Sequence, residues 1–139
     1  MITRILKSVI LVVLSAFLFA SCVSKNINTV EVTDMKKTYV NITPEQAKEI
    51  IDNETGYVIL DVRTEEEFSQ GHIPGAILIP DYEISEKAES VLTDKNQTLL
   101  VYCRSGRRSK LAAQALADLG YTDIREFGGI IDWKYEIEK

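Results

Sequence analysis

An apolar strand pattern runs directly into a polar loop and a helix pattern at Leu99-Leu100-Val101-Tyr102-Cys103-Arg104-Ser105-Gly106-Arg107-Arg108-Ser109. Cys103 thus lies between the end of a predicted strand and the start of a predicted helix. The first turn of a helix presents unpaired N–H groups and the positive end of the helix dipole, and both favour a thiolate and a bound anion. The pattern therefore predicts a nucleophilic cysteine beside a site for a negatively charged substrate.

The residues after Cys103 favour a catalytic thiol over an inert, buried one. Arg104, Arg107 and Arg108 are poor core residues, and arginine can donate paired hydrogen bonds to an oxyanion. Gly106 permits the backbone to curl so that successive N–H groups converge on one point. We therefore interpret the loop as an anion cradle around a reactive sulfur.

Strand and helix patterns alternate along the rest of the chain. Apolar runs predict strands at 39–42, 57–62, 76–79, 98–102 and 124–127, and helical spacing predicts helices at 85–92 and 109–119. Two more helices are predicted to begin at capping boxes, formed by Thr43 with Gln46 and by Thr64 with Glu67. Gly128-Gly129 is predicted to break the chain after the last strand. The alternation predicts an α/β fold: a single domain with a mostly parallel central sheet flanked by helices. Ligands of such sheets bind at the carboxyl ends of strands, where the loop cysteine lies.

The N-terminus has the pattern of a secretory signal. Arg4 and Lys7 precede an almost continuous apolar run over 9–19, and small residues lead to Cys22. The apolar run is shorter than the roughly 20 residues of a transmembrane helix. Leu18-Phe19-Ala20-Ser21-Cys22 resembles the lipobox of bacterial lipoproteins, in which the cysteine becomes the lipidated first residue. An ordinary cleaved signal and an uncleaved anchor are the alternatives.

The predicted organisation has three parts: a lipoprotein-type signal peptide at 1–21, a polar tether at 22–37 and a globular domain at 38–139. The lipobox resemblance implies cleavage before Cys22, lipid attachment to it, and a location in the bacterial cell envelope, anchored to a membrane and facing the periplasm. The chain contains two cysteines. If Cys22 carries lipid, Cys103 has no intramolecular partner, whereas a disulfide between them would tie the tether to the loop.

Charge narrows the range of partners. The chain has 16 basic and 21 acidic residues and a net charge of −5. The predicted signal peptide holds two of the basic residues and no acidic one, so the mature chain is more acidic still. Such a balance disfavours nucleic-acid binding. Nothing in the sequence requires more than a monomer.

Three motifs together resemble a known family. The first is Leu60-Asp61-Val62-Arg63 with Glu66-Glu67-Phe68 and Gly71-His72-Ile73-Pro74-Gly75-Ala76. The second is Val101 to Ser109, and the third is Gly120-Tyr121, Gly128-Gly129 and Trp133. In this order they resemble the signatures of a single-domain rhodanese, a sulfurtransferase, and the resemblance extends from about Val40 to about Ile137.

The resemblance implies a mechanism and a site. Cys103 would be the nucleophile, taking a sulfane sulfur from thiosulfate, a persulfide or a similar donor and passing it to a thiophilic acceptor such as cyanide or a thiol. The exchange would follow ping-pong kinetics and require no cofactor. The substrate-binding residues would be those of the cradle: Arg104, Ser105, Gly106, Arg107, Arg108 and Ser109. Of the side chains, Arg107 and Arg108 are favoured over Arg104 for holding a sulfonate or sulfite group.

Three polar residues outside the loop are interpreted as structural. Asp61 and Arg63, at the end of a buried strand, could form a buried pair or bond to neighbouring loops, and His72 lies in a turn. The acidic run 65–67 is interpreted as a solvated helix start. No metal site is predicted, because Cys103 and His72 alone supply too few ligands.

Three alternative functions remain at this stage. A cysteine-dependent phosphatase or arsenate reductase of the same fold would place an arginine six positions after the cysteine, where this chain has Ser109. A non-catalytic, rhodanese-like binding module would not need Cys103. A thiol oxidoreductase would normally need a second, resolving cysteine nearby.

Overall fold

The computed structural model describes residues 38–139, so the predicted signal peptide, Cys22 and the whole of the predicted tether lie outside the described residues. The described part contains a five-stranded sheet in the order β1-β5-β4-β2-β3, and every neighbouring pair is parallel. The strands are Val40–Asn41 (β1), Tyr57–Asp61 (β2), Ile77–Leu78 (β3), Thr98–Cys103 (β4) and Ile124–Gly129 (β5). The predicted α/β fold with a parallel sheet is confirmed.

Four α-helices connect and flank these strands. They are Pro44–Asn53 (α1), Glu65–Gln70 (α2), Ile84–Val91 (α3) and Arg107–Asp118 (α4), with 3-10 turns at Asp81–Glu83 and Ile130–Asp132. Both predicted capping boxes form, at Thr43 with Gln46 and at Thr64 with Glu67. No helix within residues 38–139 combines the length and apolar character needed to cross a bilayer.

Within residues 38–139 the core consists of two apolar clusters, and β4 contributes to both. Because side chains alternate along a strand, Leu99, Val101 and Cys103 join one cluster while Leu100 and Tyr102 join the other. The first cluster includes the apolar faces of α3 and α4, and the second includes that of α1. Cys103 is therefore directed to the side of the sheet that α4 covers.

The expectation that Gly128-Gly129 ends the last strand is wrong. β5 continues through both glycines, and Cys103 pairs with Gly129 after a register shift in β4. A Cβ atom on Gly129 would lie 2.2 Å from the Arg104 carbonyl oxygen and 2.5 Å from the Ser105 Cα atom. Glycine here lets the loop after β4 pass directly over β5, so the pair serves close packing rather than chain termination.

We expect Gly129→Ala to lower the free energy of unfolding by about 3 kcal/mol, because the new methyl group overlaps the loop backbone. Gly56→Ala is the matched control, since Gly56 has φ +80° but open space around the missing Cβ. Its expected cost is about 1 kcal/mol, from backbone conformation alone. Urea unfolding of both variants measures the difference, and equal losses would contradict the steric explanation.

Candidate active site

Cys103 ends β4 and is 1% exposed. The backbone turns sharply after it, and Gly106, with φ +94°, brings its N–H group to within 3.1 Å of the Cys103 Sγ atom. α4 begins at the next residue. This left-handed conformation favours glycine, so the turn that sequence reasoning attributed to Gly106 is present.

Two opposing effects set the acidity of the Cys103 thiol. Burial raises its pKa, but hydrogen bonds from the Ser109 hydroxyl and from the N–H groups of Ser109, Ser105 and Gly106 outweigh burial, so the pKa lies below its ordinary value. These donors stabilise a negative charge on sulfur. The geometry therefore suits a thiolate nucleophile in a cradle of N–H groups.

The three arginines of the loop have different surroundings. Arg108 donates two hydrogen bonds to the Glu67 carboxylate, at 2.7 and 2.8 Å. Arg107 is exposed. Arg104 is also exposed and lines a cavity of about 500 Å³, and among the described residues its guanidinium has no hydrogen-bonded or ionic partner. Arg108, favoured by sequence reasoning as an anion ligand, is thus held by a carboxylate, while Arg104 faces open space.

Glu67 has a structural role in the site that the sequence did not indicate. The acidic run was expected to be solvated, but the hydrogen bonds from Arg108 hold the pKa of Glu67 at about 2. The same carboxylate also closes the capping box of α2 at Thr64. α2 is thereby joined to the first turn of α4. The 41 positions between the two partners explain why no local pattern signalled the pair.

Asp61 and Arg63 form a buried pair, which is one of the two arrangements that the sequence predicted for them. Asp61 is fully buried and Arg63 is 5% exposed. The guanidinium donates to the Asp61 carboxylate at 2.6 to 3.0 Å and also to the Gly71 carbonyl oxygen at 2.8 Å. The pair thus ties β2 to the loop after α2.

His72 contacts the C-terminal segment and α2. Its Nδ1 atom lies 3.1 Å from the Phe68 carbonyl oxygen, and its ring stacks on Phe68 at 3.7 Å. Its backbone exchanges two hydrogen bonds of 2.8 Å with Glu138. These contacts fit the structural interpretation of His72.

Glu126 is the second residue that sequence reasoning missed. It lies on β5, is 2% exposed, and accepts a hydrogen bond of 2.6 Å from the Ser109 hydroxyl. Ser109 itself is fully buried. A glutamate two residues before the glycine pair, in the middle of a predicted strand, was the available signal. Within residues 38–139, no group of three or more His, Cys, Asp and Glu side chains could hold a metal ion.

The parallel α/β fold and the cysteine loop together are typical of one class of protein, and comparison with known proteins identifies that class. The family model for the rhodanese-like domain matches residues 43–136. The chain therefore belongs to the rhodanese-like domain family.

Individual relatives are sulfurtransferases by name. The thiosulfate sulfurtransferase PspE of Escherichia coli K12 is 42% identical over 73 residues, covering 52% of this chain and 70% of that protein. A solved structure described as rhodanese with anions from E. coli has 38% identity and a TM-score of 0.57, covering 60% of this chain and 98% of its own. The chain spans only 24% of the adenylyltransferase and sulfurtransferase UBA4 of Candida albicans, at 30% identity over 70% of this chain.

We expect Glu67→Gln to lower stability at neutral pH by about 1 kcal/mol, through loss of a charged hydrogen-bonded pair. The pKa of Glu67 is lowered from 4.5 to about 2, so the pair contributes fully above about pH 4.5 and its contribution is lost as the pH falls through about 2. Unfolding curves of wild type and variant should therefore converge on acidification. Asp52→Asn, in the exposed pair with Lys48, is the control, and a difference between wild type and Glu67→Gln that is undiminished at pH 2 would contradict the prediction.

Proposed function

We propose that this chain is a sulfurtransferase that carries a sulfane sulfur on Cys103. The observation that carries the proposal is the Cys103 thiol, with a lowered pKa, at the centre of N–H groups from Ser105, Gly106 and Ser109. Membership of the rhodanese-like family and the names of its relatives support the same activity.

The proposed reaction has two steps. With thiosulfate as donor, the Cys103 thiolate attacks the outer sulfur, the S–S bond of the donor breaks, and sulfite leaves with the bonding electron pair. The product is a Cys103 persulfide, whose negative charge the N–H cradle stabilises in place of the thiolate charge. An acceptor such as cyanide or a thiol then attacks the outer sulfur and releases the thiolate. Each substrate thus reacts separately, which gives ping-pong kinetics.

Arg104 is the proposed ligand for the anionic part of the donor. Its exposed guanidinium lines the cavity next to the loop, and Ile130 and Trp133 line the same cavity. Arg107 is a second exposed cation for this purpose. Arg108 would act indirectly, since Glu67 occupies its guanidinium. The description of the E. coli relative as a rhodanese with anions supports anion binding in this fold.

The phosphatase alternative receives less support. Ser109 stands where such an enzyme has its phosphate-binding arginine, and the Ser109 side chain is buried and bonded to Glu126. The cysteine loop of this chain is shorter than that of such a phosphatase. A shorter loop encloses a smaller space, which fits a sulfur atom better than a phosphoryl group. The presence of Cys103 in this loop argues against a purely non-catalytic binding module.

The cellular location is a separate proposal that rests on the N-terminal sequence. A signal peptide at 1–21, lipid on Cys22 and a tether at 22–37 would place the domain in the cell envelope, facing the periplasm. The domain would act as a monomer on small sulfur compounds. The lipobox-like residues before Cys22 support this arrangement.

Incubation of the full-length chain with thiosulfate tests the activity. We expect a one-sulfur adduct in the Cys103 peptide by mass spectrometry, its removal by cyanide, and its absence in Cys103→Ser. In chain that has not been lipidated, Cys22 in the same digest is the internal control and should remain free of cyanide-labile sulfur. Absence of the adduct in wild type, or turnover of an aryl phosphate without thiosulfate:cyanide activity, would overturn the proposal.

Expression of the full-length chain in bacteria tests the anchor. We expect wild type to partition into the detergent phase and to incorporate a labelled fatty acid, and we expect Cys22→Ala to lose the label. Cys103→Ala is the matched control and should keep it. Equal membrane association and labelling of Cys22→Ala and wild type would exclude lipidation at Cys22.

A further inference from the structure

The cavity beside the cysteine loop is larger than an inorganic sulfur anion requires. Its volume is about 500 Å³, and sites for organic ligands have volumes of roughly 300 to 1,000 Å³. A water molecule takes about 30 Å³ in the liquid, and thiosulfate occupies only a few such volumes. The proposed function accounts for the part of the cavity at Arg104, so the remainder calls for an explanation.

The cavity lies at the carboxyl edge of the parallel sheet, next to Cys103. Arg63, shortly after β2, and Arg104, directly after β4, both line it, as does Ile130, directly after β5. Cys103 ends β4 and pairs with Gly129, which ends β5. The residue that follows each member of this pair therefore lines the cavity. A ligand bound there would lie where α/β sheets bind their ligands, beside the loop that carries the sulfur.

One wall of the cavity is apolar and comes from the C-terminal segment, residues 130–139. Two large side chains on this wall, Ile131 and Ile137, are 63% and 55% exposed. An apolar group that covers them removes apolar surface from water, which favours binding. The apolar lining residues of the segment are Ile130, Ile131, Trp133, Tyr135 and Ile137.

The C-terminal segment is tied to the rest of the domain. The backbones of His72 and Glu138 exchange two hydrogen bonds of 2.8 Å, and the Gly75 N–H group donates to the Glu138 carboxylate at 3.0 Å. The Ile137 side chain packs closely on Gly71, since a Cβ there would lie 3.3 Å from the Ile137 Cδ1 atom. The apolar wall is therefore already formed, and binding against it does not require ordering of this segment.

The charged lining residues leave one cation available to a ligand. Arg63 is bonded to the Asp61 carboxylate, and Glu67 is bonded to the Arg108 guanidinium. Arg104 is exposed, and within residues 38–139 its guanidinium forms no hydrogen bond or ion pair. The cavity thus combines an exposed apolar wall with a free positive charge next to the cysteine loop. This combination is complementary to an organic anion with an apolar group.

We propose that the sulfur donors of this chain are organic anions, with the sulfur-bearing anionic group at Arg104 and an apolar group against Ile131, Tyr135 and Ile137. The proposal rests on the proposed role of Cys103 as the sulfur carrier. With an organic thiosulfonate, the Cys103 thiolate attacks the terminal sulfur and the S–S bond of the donor breaks. The sulfinate leaves with the bonding electron pair, and the product is the same Cys103 persulfide that thiosulfate would give.

A binding measurement tests the proposal without any sulfur transfer. Trp133 is the only tryptophan in the chain and lines the cavity, so the tryptophan fluorescence of the full-length protein reports on this site. The probe is benzenesulfonate, which has no sulfur to transfer, and methanesulfonate is the control with the same charge and a smaller apolar group. We expect a saturable change in fluorescence, with benzenesulfonate bound roughly tenfold more tightly than methanesulfonate because more apolar surface is buried.

Two variants locate the binding to the apolar wall. Ile131→Ser and Ile137→Ser each remove an exposed apolar side chain, and each should weaken benzenesulfonate binding about fivefold to tenfold. The same variants should lower the ratio of kcat/KM for benzenethiosulfonate to that for thiosulfate, with cyanide as acceptor. Val91→Ser is the matched control, because Val91 is 49% exposed at the end of α3 and does not line the cavity. Urea unfolding checks that all three variants fold.

Equal binding of the two sulfonates, or wild-type affinity for benzenesulfonate in both isoleucine variants, would overturn the proposal. A chain that forms its persulfide from thiosulfate but has no preference for the apolar probe overturns this inference alone. A chain that binds benzenesulfonate at the apolar wall but forms no persulfide overturns the proposed function instead. The two failures are therefore distinguishable.

Discussion

The convergence of backbone N–H groups on the Cys103 sulfur is the interaction on which the rest of the site depends. It requires the chain to reverse direction within three residues at the end of β4, which Gly106 permits through its left-handed conformation. It also requires the loop to lie almost on the neighbouring strand, where the Arg104 carbonyl oxygen occupies the space of a Cβ on Gly129. Gly106 and Gly129 lie 23 positions apart, and both allow the loop after β4 to take the path that brings its N–H groups to the sulfur.

Hydrogen bonds are the main effect that makes the Cys103 thiol more acidic. The pKa of Cys103 is lowered against the effect of burial by the Ser109 hydroxyl and by N–H groups of the loop. Of the three loop arginines, Arg108 is held by Glu67, and Arg104 is exposed beside a cavity. Under the proposed function, this division would leave one group of donors for the sulfur and another for an approaching anion, so the thiolate would keep its stabilisation when a substrate binds.

Two carboxylates flank the loop in different ways. Glu67 is partly exposed and pairs with the Arg108 guanidinium, which lowers its pKa to about 2. Glu126 is buried and accepts a hydrogen bond from the Ser109 hydroxyl. The first joins α4 to α2, and the second accepts hydrogen bonds from the Ser109 hydroxyl and the Gly128 N–H group. Neither partner pair is close in sequence, since the first spans 41 positions and the second spans 17.

Local chemistry in the sequence was sufficient for the α/β class, for both capping boxes and for the turn at Gly106, because each depends on residues within a few positions of one another. The motifs were also sufficient for the family. Tertiary structure alone decided that Gly128-Gly129 continues β5, that Glu67 binds Arg108, and that Ser109 faces Glu126. Those outcomes depend on which strands are neighbours and on how closely two backbones approach. A single sequence does not encode such distances in any local pattern, because they are set by the packing of segments that are remote along the chain.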